Sequence, residues 1–204
     1  RFVFASSATV YGNNAGSASN EFLGAKETTA LEPTSVYGAT KVAGEALVMA
    51  HHSLGRVSGL CLRYLANVGS GATHGVVRDI IAKLKSSYST LPLLGDAPGS
   101  TKHYVHVSDT VEATVLLGLN PAVTGAVNIA NDDQLNITEL SHVIMDTLGI
   151  WKWTEFLGEQ ANWAGDNRIV RVDGSLAKRL RWEPKFARSA DAVRQAVKDM
   201  EGIS

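Results

Sequence analysis

The chain has 204 residues, 45% of them hydrophobic and 19% charged, and a formal net charge of −1. That length supports one substantial core, or a core with a small second lobe, and the near-neutral balance gives no broad electrostatic case for nucleic-acid or membrane binding. The single cysteine, Cys61, excludes an internal disulfide and sits in an apolar run, as a buried thiol does; no apolar stretch reaches membrane-spanning length, and the cytoplasm is the expected compartment.

Arg1-Phe-Val-Phe-Ala5 is a short apolar run ending in small hydroxyl residues, which predicts a buried strand. Residues 13–34 are small and polar and read as a long loop. Pro33-Thr-Ser35 starts a helix from Val36 to about His52, with Val36, Ala43, Leu47 and Ala50 as its apolar face and Gly55 beyond its end. Gly59–Tyr64 is the next buried strand, and Val76–Leu84 a helix with its stripe at Val76, Val77, Ile80, Ile81 and Leu84. Leu91–Leu94 and Lys102–Val107 read as strands, and Asp109 starts a helix to about Leu119. Gly125–Ala130 returns to strand, Thr138 caps a helix ending before Gly149, and a strand is expected at Ile169–Val172. Ser175–Leu180 forms a short helix, and Ser189 starts the last one, with Ala192, Val193, Ala196, Val197 and Met200 inward. Strands alternating with helices give an α/β class with a mainly parallel sheet. Trp151, Trp153, Trp163 and Trp182 are expected to anchor a smaller lobe.

The chemistry centres on Tyr37 and Lys41, four residues apart on the predicted helix. That spacing puts both on one face. A nearby ammonium favours a phenolate, and a tyrosine tuned that way takes a proton from an alcohol near neutral pH. Alone, the spacing is a weak signal, and a surface lysine beside a half-buried tyrosine is the ordinary reading of it. The six histidines have no metal-ligand spacing. His74 and His106 read as loop and strand structure, and Ser6 as a strand-end cap.

Four ordered segments carry a resemblance: Ser6-Ser-Ala-Thr-Val-Tyr-Gly12, Tyr37-Gly-Ala-Thr-Lys41, Leu62-Arg-Tyr-Leu-Ala-Asn67 and Tyr104-Val-His-Val-Ser-Asp109. In that order they resemble the extended short-chain dehydrogenases/reductases, in the NAD-dependent epimerase/dehydratase branch typified by UDP-glucose 4-epimerase. The resemblance implies the C-terminal part of a Rossmann-like, doubly wound parallel sheet plus a smaller α/β substrate-binding lobe. Residues 1–68 and 101–130 would form the former, and 69–100 and 131–204 the latter. It makes Tyr37 the acid/base, Lys41 its tuner and a ligand of the nicotinamide ribose, and Ser7 the hydroxyl that positions the sugar oxygen. Thr9 is a further substrate contact.

Asn67 resembles a substrate-binding asparagine, although Ala66 stands where many relatives place it. Lys102 matches a position where relatives hold the nucleotide diphosphate; the bland alternative is a solvated hairpin charge. Trp163-Ala-Gly-Asp166 occupies the place of an Arg-x-Gly-Asp segment. Arg168 and Arg171 are candidate substitutes for its arginine, because a guanidinium binds phosphate through two donors; surface arginines are the alternative. Ala8 and Thr9 offer no carboxylate where dehydratases carry one, which favours epimerisation or carbonyl reduction.

Relatives open with a glycine-rich dinucleotide turn. Gly69-Ser-Gly71 and Gly95-Asp-Ala-Pro-Gly99 read instead as ordinary loops. The expectation is the back part of a larger protein, with the NAD- or NADP-binding turn outside this chain and no tight cofactor binding or turnover by the chain alone. An open edge beside Phe2–Ala5 agrees with that expectation. Relatives pair through the helix carrying the tyrosine and lysine, which implies a homodimer with a nucleotide sugar as small-molecule partner. The competing readings are a noncatalytic sugar-nucleotide-binding or interaction remnant and an NAD(P)-dependent carbonyl reductase.

Overall fold

The computed structural model describes residues 1–15, 24–158 and 167–203. β1 (Phe2–Ser7) leads through a 3-10 segment (Ala8–Ala15) to α1 (Val36–Ser53); β2 (Gly59–Tyr64), β3 (Ala66–Val68) and α2 (Val76–Lys85) follow. Next come β4 (Thr90–Leu93), β5 (Thr101–Lys102), β6 (Tyr104–His106), α3 (Val107–Leu119) and β7 (Gly125–Ile129). Then come β8 (Leu135–Asn136), α4 (Ile137–Leu148), β9 (Trp153–Phe156), β10 (Ile169–Val170), α5 (Ser175–Arg179) and α6 (Ser189–Glu201).

β1, β2 and β7 form a parallel sheet in the order β1-β2-β7. Leu60, Leu62, Val127 and Ile129 on one face and Cys61 on the other are buried, as a parallel sheet covered on both faces requires. α1 covers one face: a Cβ added at Gly44 would lie 2.3 Å from the Phe4 ring. α3 covers the other, where Gly118 meets Val3. Phe4 and Val3 are neighbours in the strand, so side-chain alternation sends them to opposite helices.

A separate core joins the stripe Val77, Ile80, Ile81 and Leu84 of α2 to Leu140 and Ile144 of α4 and the inner face of α6. Small parallel pairs, β3 with β6 and β4 with β9, lie outside the main sheet, and β5 pairs with β8 and β10. Cys61 is buried, and burial pushes its thiol up to about 12.

Several sequence expectations are corrected. The face of α1 expected to be inward faces solvent: Val36 and Leu47 are 83% and 66% exposed, whereas Gly38, Glu45 and Val48 are buried. The 13–34 stretch is not all loop, because the 3-10 segment reaches Ala15 and Ala25 bridges Val172. Strand structure breaks at His103, and α3 starts at Val107, its cap supplied by the His106 side chain. α4 is capped by Asn136 rather than Thr138, through a reciprocal box with Glu139. Trp151 and Trp153 are exposed, and Trp182 packs with Leu60, Leu62 and Val127 of the main sheet; Trp163 lies outside the described residues. No helix among the described residues is long and apolar enough to cross a membrane.

Candidate functional site

Parallel strands bring their carboxyl ends to one edge of the sheet, and Ser7 ends β1 there. Its Oγ accepts the Thr9 backbone N–H at 3.3 Å, which folds the chain into the 3-10 segment. The Thr9 hydroxyl is buried, and among the described residues its oxygen has no hydrogen-bond partner. The chain then crosses over itself. Gly12 has φ +52°, a Cβ there would lie 1.7 Å from the Glu32 carbonyl oxygen, and the Glu32 N–H donates to the Val10 carbonyl. Only glycine fits that crossing.

The crossing delivers Ser35, whose side chain caps α1 by accepting the Gly38 N–H at 3.1 Å. Gly38 sits so close to Thr9 that a Cβ would lie 2.9 Å from its carbonyl oxygen. The first turn of α1 therefore rests on the backbone of the hydroxyl-bearing segment. Tyr37, the residue before Gly38, is 54% exposed. One turn further, Lys41 Nζ lies 5.3 Å from the Tyr37 ring centroid and 5.2 Å from that of Phe4 and donates to the Ala5 carbonyl at 2.8 Å. Tyr37 and Lys41 thus share a face, and the ammonium reaches the end of β1, two residues before Ser7.

The other candidates are distributed differently. Asn67 is exposed on β3, and its Oδ1 accepts the Thr110 hydroxyl at 2.7 Å. Lys102 on β5 is the register partner of Val170, and the Thr101 N–H donates to the Arg168 carbonyl at 2.6 Å. Lys102 and Arg168 therefore come from adjoining segments. Arg171 follows Val170, and its Nε donates to Gln134 Oε1 at 3.0 Å, in a cavity of about 470 Å³ lined also by Thr101, His103, Asn136 and Glu139. His103 is buried there, and burial pushes its imidazole down to about 4. Asp166 and Trp163 lie outside the described residues.

Beneath the site is a polar group that the sequence reading passed over. Arg63 and Glu45 are buried and joined by two contacts, Nε to Oε1 at 2.9 Å and Nη2 to Oε2 at 2.6 Å. Burial opposes the Arg63 charge, but the bonds to Glu45 and Tyr11 outweigh it and hold the guanidinium above its ordinary range. Burial pushes the Tyr11 phenol up to about 12. Ser6 donates to Glu45 rather than capping the strand end. The available signal was a charged residue inside the otherwise apolar run Leu60-Cys-Leu-Arg63.

Residues 1–130 match the NAD dependent epimerase/dehydratase family. The chain is similar to the uncharacterized UDP-glucose epimerase YtcB of Bacillus subtilis (strain 168), with 28% identity over 180 residues, 88% of this chain and 54% of that protein. Its fold resembles the crystal structure of a UDP-galactose 4-epimerase with TM-score 0.79 and 30% identity, covering 97% of this chain and 61% of that one. It also resembles the UDP-glucose 4-epimerase of Thermus thermophilus, solved with NAD, with TM-score 0.82 and 21% identity, covering 99% of this chain and 64% of that one. The last likeness speaks to fold alone, and the fold shared with these structures is Rossmann-like. The chain spans 54% to 64% of the length of these relatives.

Proposed function

The chain belongs to the NAD-dependent epimerase/dehydratase family, and from that premise we propose that it carries the acid/base and sugar-binding part of an NAD-dependent nucleotide-sugar 4-epimerase. The observation that carries this reading is the Lys41 ammonium beside the Tyr37 ring, on a helix seated against Thr9. Tyr37 is exposed enough to reach a sugar; the Thr9 oxygen, buried without a partner among the described residues, would have to be uncovered to take a sugar hydroxyl. In this role Tyr37 Oη takes the proton of the sugar 4-hydroxyl and later returns it. Ser7 holds the same sugar oxygen and Thr9 a neighbouring one. NAD, when bound, supplies the acceptor for the C4 hydride and gives it back to the other face of the sugar. Lys41 fits a ribose diol, because an ammonium has three donors and one is committed to the Ala5 carbonyl.

Lys102 and Arg168, on adjoining segments, are the cations assigned to the diphosphate, with Asn67 at the substrate edge. Lys102, Arg168 and Arg171 each have an interaction in the fold, Gln134 in the case of Arg171, and would exchange it for phosphate oxygens. The exposed stripe of Val36, Ala43, Leu47 and Ala50 on α1 supports pairing of two copies through that helix. The test is interconversion of UDP-glucose and UDP-galactose by the full protein with NAD. Tyr37→Phe is expected to lose turnover and Lys102→Ala to raise KM. Wild-type turnover by Tyr37→Phe would remove the phenol from the mechanism.

A further inference from the structure

Ser6, Arg63 and Asn128 are register partners in one row across β1, β2 and β7. All three are buried. The preceding row, Ala5, Leu62 and Val127, is apolar. A polar row inside a parallel sheet must be fully hydrogen-bonded to be tolerated, and α1 and the 3-10 segment supply the partners. Glu45, one turn beyond Lys41, accepts the Ser6 hydroxyl at 2.5 Å and the Nε and Nη2 donors of Arg63. Tyr11, two residues beyond Thr9, accepts from Arg63 Nη1 at 2.7 Å and donates to Asn128 Oδ1 at 2.7 Å. Its ring also lies 4.8 Å under the guanidinium carbon.

One guanidinium is thereby tied, directly through Glu45 and Tyr11 and by way of Glu45 to Ser6, to the three segments that bear Tyr37 with Lys41, Thr9 and Ser7. Glu45 represents the helix of Tyr37 and Lys41, Tyr11 the segment of Thr9, and Ser6 the strand end of Ser7. A buried ion pair adds little net stability over apolar residues of the same volume. Its forked geometry does fix orientation. Apolar packing of α1 on the sheet, Gly44 on Phe4 and Val48 on Gly59, leaves sliding and rotation cheaper than a two-point contact does.

We propose that Glu45, Arg63 and Tyr11 are positioning residues that set the Tyr37 phenol against the Ser7 and Thr9 hydroxyls, so that they govern kcat and not substrate affinity. This inference rests on the acid/base reading of Tyr37. A displacement of about 1 Å between reacting groups costs up to about a hundredfold in rate.

The test uses the full protein with NAD and UDP-galactose. Glu45→Leu/Arg63→Met removes both charges together, so no charge is left buried alone, and Tyr11→Phe removes only the bridging hydroxyl. The expected result is a melting temperature close to wild type, kcat lowered about tenfold or more in the double variant and several-fold in Tyr11→Phe, and KM unchanged. A folded double variant with wild-type kcat, or a raised KM with kcat unchanged, overturns the inference. If the double variant does not fold, Tyr11→Phe decides by the same criteria. Tyr37→Phe is the control. If it is inactive while the other variants keep wild-type kcat, only the positioning inference falls. If it retains wild-type turnover, or the wild-type protein turns nothing over, the acid/base reading falls and this inference with it.

Discussion

Lys41 reaches across the Tyr37 ring, its Nζ 5.3 Å from the ring centroid, and ends in a hydrogen bond to the Ala5 carbonyl at the close of β1. The helix spacing alone would allow the two side chains to diverge. The strand-end carbonyl gives the ammonium a fixed destination, and there it lies over the Tyr37 ring. Lys41→Met keeps much of the stem and removes the charge. In the full protein this variant is expected to lower turnover about a hundredfold and to weaken NAD binding, read by steady-state kinetics and by NAD titration. Wild-type values for both would separate Lys41 from the chemistry.

Arg63 and Glu45 make a different kind of prediction, on stability. Arg63→Met alone leaves the Glu45 carboxylate buried without its partner. The expected cost is about 3–5 kcal/mol, measured by urea unfolding. The paired variant Glu45→Leu/Arg63→Met should recover most of that loss. Equal destabilisation by the single and paired variants would show that the two side chains are not energetically coupled.

This pair also marks the limit of what hydropathy can read. The bounds of α1 were legible, because Ser35 is a capping residue and Gly55 a stop. Its inward face was not. Glu45 turns inside because a guanidinium on a strand eighteen positions further along satisfies it, and a residue-by-residue hydropathy pattern holds no record of that partner. Leu47 is left outside in the same rotation. Elements fixed locally, such as the α2 stripe and the β2 run, were read correctly. The break at His103 depends on contacts with Asn131, Gln134 and Val172, all distant in sequence. The candidate site was legible where one helix turn holds it, at Tyr37 and Lys41. The partner of Arg171 could not be read from sequence, because its bond to Gln134 exists only in the folded cavity.

His103 gives stability a pH dependence. In the folded protein its imidazole stays neutral down to about pH 4, while in the unfolded chain it protonates near the ordinary value of about 6.5. Between those values the unfolded state binds more protons. Stability from this group is therefore complete above about pH 6.5 and declines as pH falls toward 4, by about 3 kcal/mol in all. Thermal unfolding across that range should show a shallower slope for His103→Gln than for wild type. Identical slopes would remove His103 as the source.

The exposed face of α1 predicts self-association. Leu47 is 66% exposed on that face, and a charge there should weaken pairing while leaving the fold intact. Sedimentation of the full protein is expected to show a dimer, shifted toward monomer by Leu47→Asp. A dimer unchanged by that substitution would place the interface elsewhere.

The measurement that bears most directly on the central claim follows the hydrogen at C4. UDP-galactose deuterated at C4 is incubated with the full protein and NAD in ordinary water, and the UDP-glucose formed is analysed by mass spectrometry. Oxidation and re-reduction at that carbon, with Tyr37 handling only the hydroxyl proton, predicts that the deuterium stays at C4 through inversion and that Tyr37→Phe forms little product. Loss of the deuterium to solvent, or inversion at an undiminished rate in Tyr37→Phe, would contradict the account.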